Sequence, residues 1–103
     1  MCYNYFYFSA KLSALKIQQQ SDRKLIFDNE GIIAFAVQLK KIRLRERLTQ
    51  SQLAFESGLS LSQVARIETA RINPTLSTVF ALARALNVTL PDLFNFDLDQ
   101  KDE

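Results

Sequence analysis

Backbone punctuation is sparse in this chain. Glycine stands only at Gly31 and Gly58, and proline only at Pro74 and Pro91. Tight turns and hairpins depend on these two residue types, because glycine supplies positive φ and proline presets a turn. Long stretches without either favour helices, so the fold class expected is all-α. The 103 residues suffice for one domain and not for two full cores. Hydrophobic residues make up 48% of the chain, enough to pack a core and too many for disorder throughout.

Helical periodicity begins at Phe35. Phe35, Leu39, Ile42 and Leu48 fall mostly on one side, with Lys40, Lys41, Arg45 and Arg47 largely on the other. This predicts a first amphipathic helix ending near Arg47. Thr49 stands three residues before Gln52, and Ser60 three before Gln63. At that spacing the hydroxyl caps a backbone N–H and the glutamine returns to the cap. Between the two boxes, Gly58 suits a left-handed helix end and Leu59 an apolar plug. A second helix is therefore expected over about 50–57 and a third from Leu61 to about Thr69, with Val64 and Ile67 inward. Asn73 and Pro74 break the chain. Thr75 then caps a fourth helix with the stripe Leu76, Val79, Leu82, Ala83 and Leu86, which Asn87 ends. Thr89, Pro91 and Asp92 announce a short fifth helix through Leu93 and Phe94.

The first 30 residues resist this treatment. Tyr3, Tyr5 and Tyr7 alternate with Asn4, Phe6 and Phe8, as in a strand, but both faces are aromatic and no partner strand is predicted. Residues 9–20 fit a helix. The preferred reading is an extension outside the fold, poorly ordered or arising from a start site placed too far upstream. The competing one is an arm joining two protomers. The division expected is 1–33 extension, 34–96 domain and 97–103 acidic tail, a solvated terminus.

Chemistry is bounded mainly by what is missing. Histidine is absent and cysteine occurs once, at Cys2. His-based acid–base work, a Cys/His metal site and intrachain disulfides are therefore excluded. Glu46, Glu56 and Glu68 fall on separate surfaces of the expected fold, so neither an enzyme nor a cofactor or metal site is expected. The longest uncharged run, Ile72–Ala83, is 12 residues, short of the roughly 20 apolar residues a spanning helix needs. With no export signal and no disulfide framework, the expected compartment is the cytoplasm.

The net charge of +2 conceals a gradient. Residues 36–91 hold eight Lys/Arg against three Glu, whereas 92–103 hold five acids against Lys101. A basic module suggests a polyanionic partner. Two short capped helices joined by a glycine turn are what a helix-turn-helix reader of the DNA major groove needs. The outward positions of its second helix should be small or hydrogen-bonding, and Ser60, Ser62, Ala65 and Arg66 satisfy this.

From Leu39 to Leu93 the sequence resembles the phage-repressor/Cro-like (XRE) helix-turn-helix family. The resemblance is carried by LKKIRLRERL, TQSQLAFESGLSLSQVARIE and NPTLSTVFALARALNV, in that order. It implies a compact five-helix, lambda-repressor-like domain that binds double-stranded DNA as a homodimer and regulates transcription, usually by repression. Residue by residue, it implies base reading by Ser60, Leu61, Ser62 and Arg66, with Arg66 gripping guanine and Leu61 meeting a thymine methyl. It places Gln50, Gln63, Arg71 and Asn73 at phosphates, and Arg43 and Glu68 as an architectural pair. Leu93, Phe94 and Phe96 are candidates for the dimer surface. Ala70 and Arg47 depart from the family, which commonly has glycine at both positions. Two other readings stand beside this one: an antitoxin that also binds a toxin protein, and an interaction adaptor that keeps the fold without DNA binding.

Overall fold

A computed structural model describes residues 25–98. The aromatic run, the helix expected over 9–20 and most of the acidic tail lie outside the described residues. Asp28 opens the first helix, α1 (Asn29–Arg45), by accepting the Gly31 N–H on its carboxylate at 3.0 Å. Glu30 in the first turn suits the positive end of the helix dipole. The helix thus starts well before Phe35, and it ends at Arg45 with Glu46 as cap, next to the expected Arg47. Residues 29–33, expected in the extension, are its first turns.

The remaining helices are α2 (Gln50–Ser57), α3 (Leu61–Glu68), α4 (Leu76–Leu86) and α5 (Leu90–Leu93). Thr49, Ser60 and Thr89 each form the complete reciprocal box, with Gln52, Gln63 and Asp92 respectively. Thr75 caps α4 through the Thr78 N–H. No strand occurs among the described residues, and none of their helices is long and apolar enough to cross a membrane.

Helices α1 to α4 all end in one motif. A left-handed residue closes each helix, as the cap itself in α2 and α4 and just after it in α1 and α3, its N–H returning three residues and the next N–H returning five. In α1 these bonds are Arg47 N–H to the Leu44 carbonyl, 3.0 Å, and Leu48 N–H to the Arg43 carbonyl, 3.1 Å. The left-handed residues are Arg47, Gly58, Ala70 and Asn87. Only glycine is unstrained there, and a non-glycine residue costs about 1–2 kcal/mol. Ala70→Gly should therefore raise the unfolding free energy by about 1 kcal/mol after its own entropic cost is deducted. Gly58→Ala should lower it by a similar amount through the backbone alone, since an added Cβ meets nothing within 4 Å. Urea melts of the two variants check both signs.

The residue after the left-handed one is apolar and packs on the core in three cases, Leu48, Leu59 and Val88. After α3 that place is taken by Arg71, which is exposed.

The core is assembled from every helix. Leu39 and Ile42 of α1, Leu53 of α2, Val64 and Ile67 of α3, and Leu82 and Leu86 of α4 are buried in one cluster. α2 packs on α3 and α4, while α1 packs on α3 and α5. Leu93 belongs to the same cluster with 0% exposure, which corrects its assignment to a dimer surface. The short α5 folds back onto α1, where Gln38 Nε2 donates to the Asp92 carbonyl at 2.9 Å. A residue wholly used in closing the core has no surface left for a second chain.

Candidate nucleic-acid interface

Gly58 lets α2 stop and the chain reverse, and Leu59 plugs the bend before Ser60 starts α3. Val64 and Ile67 hold the inner side of α3 in the core. Helical spacing then turns Leu61, Ser62, Gln63 and Arg66 outward, and all four are exposed, Leu61 to 50%. Ala65 between them is half-buried, so nothing bulky separates Ser62 from Arg66 on adjacent turns.

The hydrogen-bond capacity of this face is partly committed. Ser60 Oγ accepts from the Gln63 N–H at 3.1 Å, and Gln63 Oε1 accepts from the Ser60 N–H at 3.0 Å. The Ser60 hydroxyl proton and both amide protons of Gln63 stay available to a ligand. Among the described residues, Arg66 makes no side-chain hydrogen bond or ion pair.

The far end of α3 is anchored by a buried ion pair. Arg43 Nε donates to Glu68 Oε2 at 2.6 Å and Nη2 to Oε1 at 3.0 Å, a fork-to-fork match. The two side chains are 8% and 2% exposed. Arg43 Nη1 also donates to the Leu48 carbonyl at 2.7 Å, and Gln50 Nε2 to Glu68 Oε1 at 3.3 Å. This cluster joins α1, the loop after it, the start of α2 and the end of α3, which fixes the angle at which α3 is presented.

Gln50 accordingly plays a part that the sequence did not reveal. One amide proton of its Nε2 is directed at Glu68, which leaves the other, together with the backbone N–H groups of the first turn of α2, for a phosphate. Of those groups, Thr49 takes the Gln52 and Leu53 N–H, which leaves those of Gln50 and Ser51 without a partner in the helix. Arg71 and Asn73 are both exposed in the loop between α3 and α4, and neither side chain makes a hydrogen bond among the described residues. Of the remaining dimer candidates, Phe94 is half-exposed and lies against Phe35 with ring centroids 5.4 Å apart. Phe96 is half-buried beside it.

Comparison with known proteins agrees with this geometry. The sequence profile of the helix-turn-helix family matches residues 39–93. An immunity repressor of Bacillus phage phi105 is 50% identical over 50 residues, which cover 48% of this chain and 35% of the repressor. The match thus spans about a third of that relative's length. The control protein C.SmaI of Serratia marcescens is 40% identical over 58 residues, covering 56% of this chain and 69% of that one. Among solved structures, the restriction-modification controller C.AhdI of Aeromonas hydrophila superposes with a TM-score of 0.60 at 35% identity, over 61% of this chain and 96% of that one. With the capped pair α2–α3, the buried Arg43–Glu68 brace and more than half its length inside the family profile, the chain belongs to the helix-turn-helix family of DNA-binding transcriptional regulators.

Proposed function

We propose that this protein acts in the cytoplasm as a repressor, occupying an operator as a homodimer and excluding polymerase from it. The observation that carries the reading is the division of labour on α3. Its inner and terminal side chains are locked into the fold, while Ser62, Gln63 and Arg66 are exposed with donors to offer. Leu61 adds an apolar contact fitted to a thymine methyl. Arg71 takes a place that elsewhere in this chain holds a packing residue, which suits a cation held out toward phosphate, with Asn73 beside it.

A single eight-residue helix reads few base pairs. Two half-sites about 10 bp apart, read by a two-fold dimer, are the usual route to useful affinity. Phe80 of α4 and Leu90 of α5 are exposed apolar residues on neighbouring helices, and they offer a second copy the surface that Leu93 does not.

Selection from a random duplex pool, sequenced at two salt concentrations, tests the proposal. The expected result is an enriched palindrome with half-sites one turn apart. Binding that tracks salt alone, with no enriched sequence, rejects operator reading and favours a protein partner such as a toxin. On the selected site, Arg71→Ala should weaken binding without altering sequence preference. It should also lower the slope of log affinity against log salt by about 0.9 per lost phosphate contact, roughly two units for a dimer.

A further inference from the structure

We infer that the aromatic run at the start of this chain, residues 3–8, docks in an apolar groove beside the first turns of α1 in the same molecule. The groove has a volume of about 290 Å³. Ile32 and Phe35 of α1, Leu76 and Val79 of α4, and Phe96 and Leu98 of the segment after α5 supply its apolar walls. Leu76 is 70% exposed at the rim, and Leu98 is exposed opposite. A contiguous apolar concavity of this kind on a small domain marks a contact surface.

Three observations select the occupant. The first is the tether. Gly31 and Ile32 line the groove, so the chain enters α1 beside it, and Leu25 stands only four residues before that helix. The stretch from Phe8 to Leu25 can extend to roughly 50 Å, ample to bring the run back to the groove.

The second is chemistry. Tyr3, Tyr5, Phe6, Tyr7 and Phe8 are five of the first eight residues, and each such ring buries about 150–250 Å² when enclosed. Phe35, Phe94 and Phe96 already form a chain of tilted ring contacts on that side, and a further ring extends it.

The third is charge. Lys11, Lys16, Arg23 and Lys24 against Asp22 make residues 9–24 basic, whereas the stretch 97–103, which runs on from the groove residue Leu98, holds Asp97, Asp99, Asp102 and Glu103 against Lys101. The leader that would carry the run to the groove and the stretch that leaves it are thus of opposite sign, which favours docking over release.

The chain carries its own probe, because its three tyrosines are Tyr3, Tyr5 and Tyr7 and it has no tryptophan. Tyrosine emission from the full chain therefore reports on the run alone. Acrylamide should quench it severalfold less than it quenches a free peptide of residues 1–24, and equally at low and high protein concentration. Leu76→Asp puts a charge on the groove rim at the first position of α4, where an acid suits the helix dipole. It should cut the docked-to-free ratio about tenfold, equivalent to about 1.4 kcal/mol, and restore peptide-like quenching at unchanged helicity. Leu98→Asp should act in the same direction, and Phe55→Asp, on α2, should leave the shielding intact. Peptide-like quenching of the unaltered chain would overturn the inference. So would shielding lost on dilution, which places the run in a second copy, or shielding indifferent to both rim substitutions.

Discussion

Glu68→Ala is expected to remove about 3–5 kcal/mol of stability, the usual cost of leaving one member of a buried ion pair alone. A domain of this size has only about 5–15 kcal/mol in total. The variant's melting temperature should accordingly fall by roughly 12–40 °C, at about 4–8 °C per kcal/mol. The cause is specific. Arg43 is held with its side chain 8% exposed, and Glu68 accepts from both Nε and Nη2. Once the carboxylate is gone, a guanidinium that cannot be deprotonated stays buried with only the Leu48 carbonyl as a partner. Gln50 Nε2 loses its acceptor as well.

Arg43→Lys should not rescue the fold fully, because an ammonium cannot offer two parallel donors to one carboxylate. The double replacement Arg43→Met, Glu68→Leu should be less damaging than Glu68→Ala or Arg43→Ala alone, because no unpaired charge is left inside. Chemical and thermal denaturation of the four variants decide the matter. A loss below about 1 kcal/mol for Glu68→Ala would mean that the pair behaves as a solvent-exposed one.

The parts of the fold governed by local rules were legible in the sequence. Thr49 with Gln52, Ser60 with Gln63 and Thr89 with Asp92 are all capping boxes in the structure, because each depends only on a hydroxyl and an acceptor three residues apart. The start of α1 is less legible although its signal is present. Asp28 with Glu30 is a cap with an acid in the first turn, but Gly31 three residues on reads as a break, and the apolar period becomes clear only at Phe35. The end of α1 close to Arg47 is legible, but not that Arg47 itself turns left-handed, a conformation its residue type does not announce.

Non-local relations explain the rest. Leu93 lies in a four-residue helix whose burial follows from α5 turning back onto α1, a contact across 54 positions between Gln38 and Asp92. Gln50 meets Glu68 across 18 positions, and no spacing rule links them. The family resemblance supplied the Arg43–Glu68 pairing, and the structure adds the Leu48 carbonyl and the Gln50 amide that complete it. The position of Arg71 shows how structure sharpens a sequence reading. As a residue type it is an ordinary surface arginine. Only comparison with Leu48, Leu59 and Val88 at the equivalent helix ends shows that a packing position has been given to a charge.

On the selected operator, Arg66→Ala is expected to cost about 1–3 kcal/mol per half-site, roughly 5- to 150-fold in affinity, and to relax preference at one base pair in each half. The argument rests on the freedom of the side chain. Arg66 is exposed on the outer face of α3 and makes no ion pair or hydrogen bond among the described residues, so its removal should leave the melting temperature nearly unchanged. The paired loss at guanine follows from geometry, since an arginine fork can donate to O6 and N7 together and alanine to neither. Arg66→Lys keeps the charge but not the fork, so it should retain most of the salt dependence while losing much of the discrimination. Arg71→Ala should do the opposite, flattening the salt dependence with sequence preference intact. Competition binding with operators altered one base pair at a time, run at two salt concentrations, separates the two behaviours. If Arg66→Ala instead weakened every duplex equally and flattened the salt slope, Arg66 would be a phosphate contact, and base reading would pass to Ser60, Leu61 and Ser62 at the opening of α3.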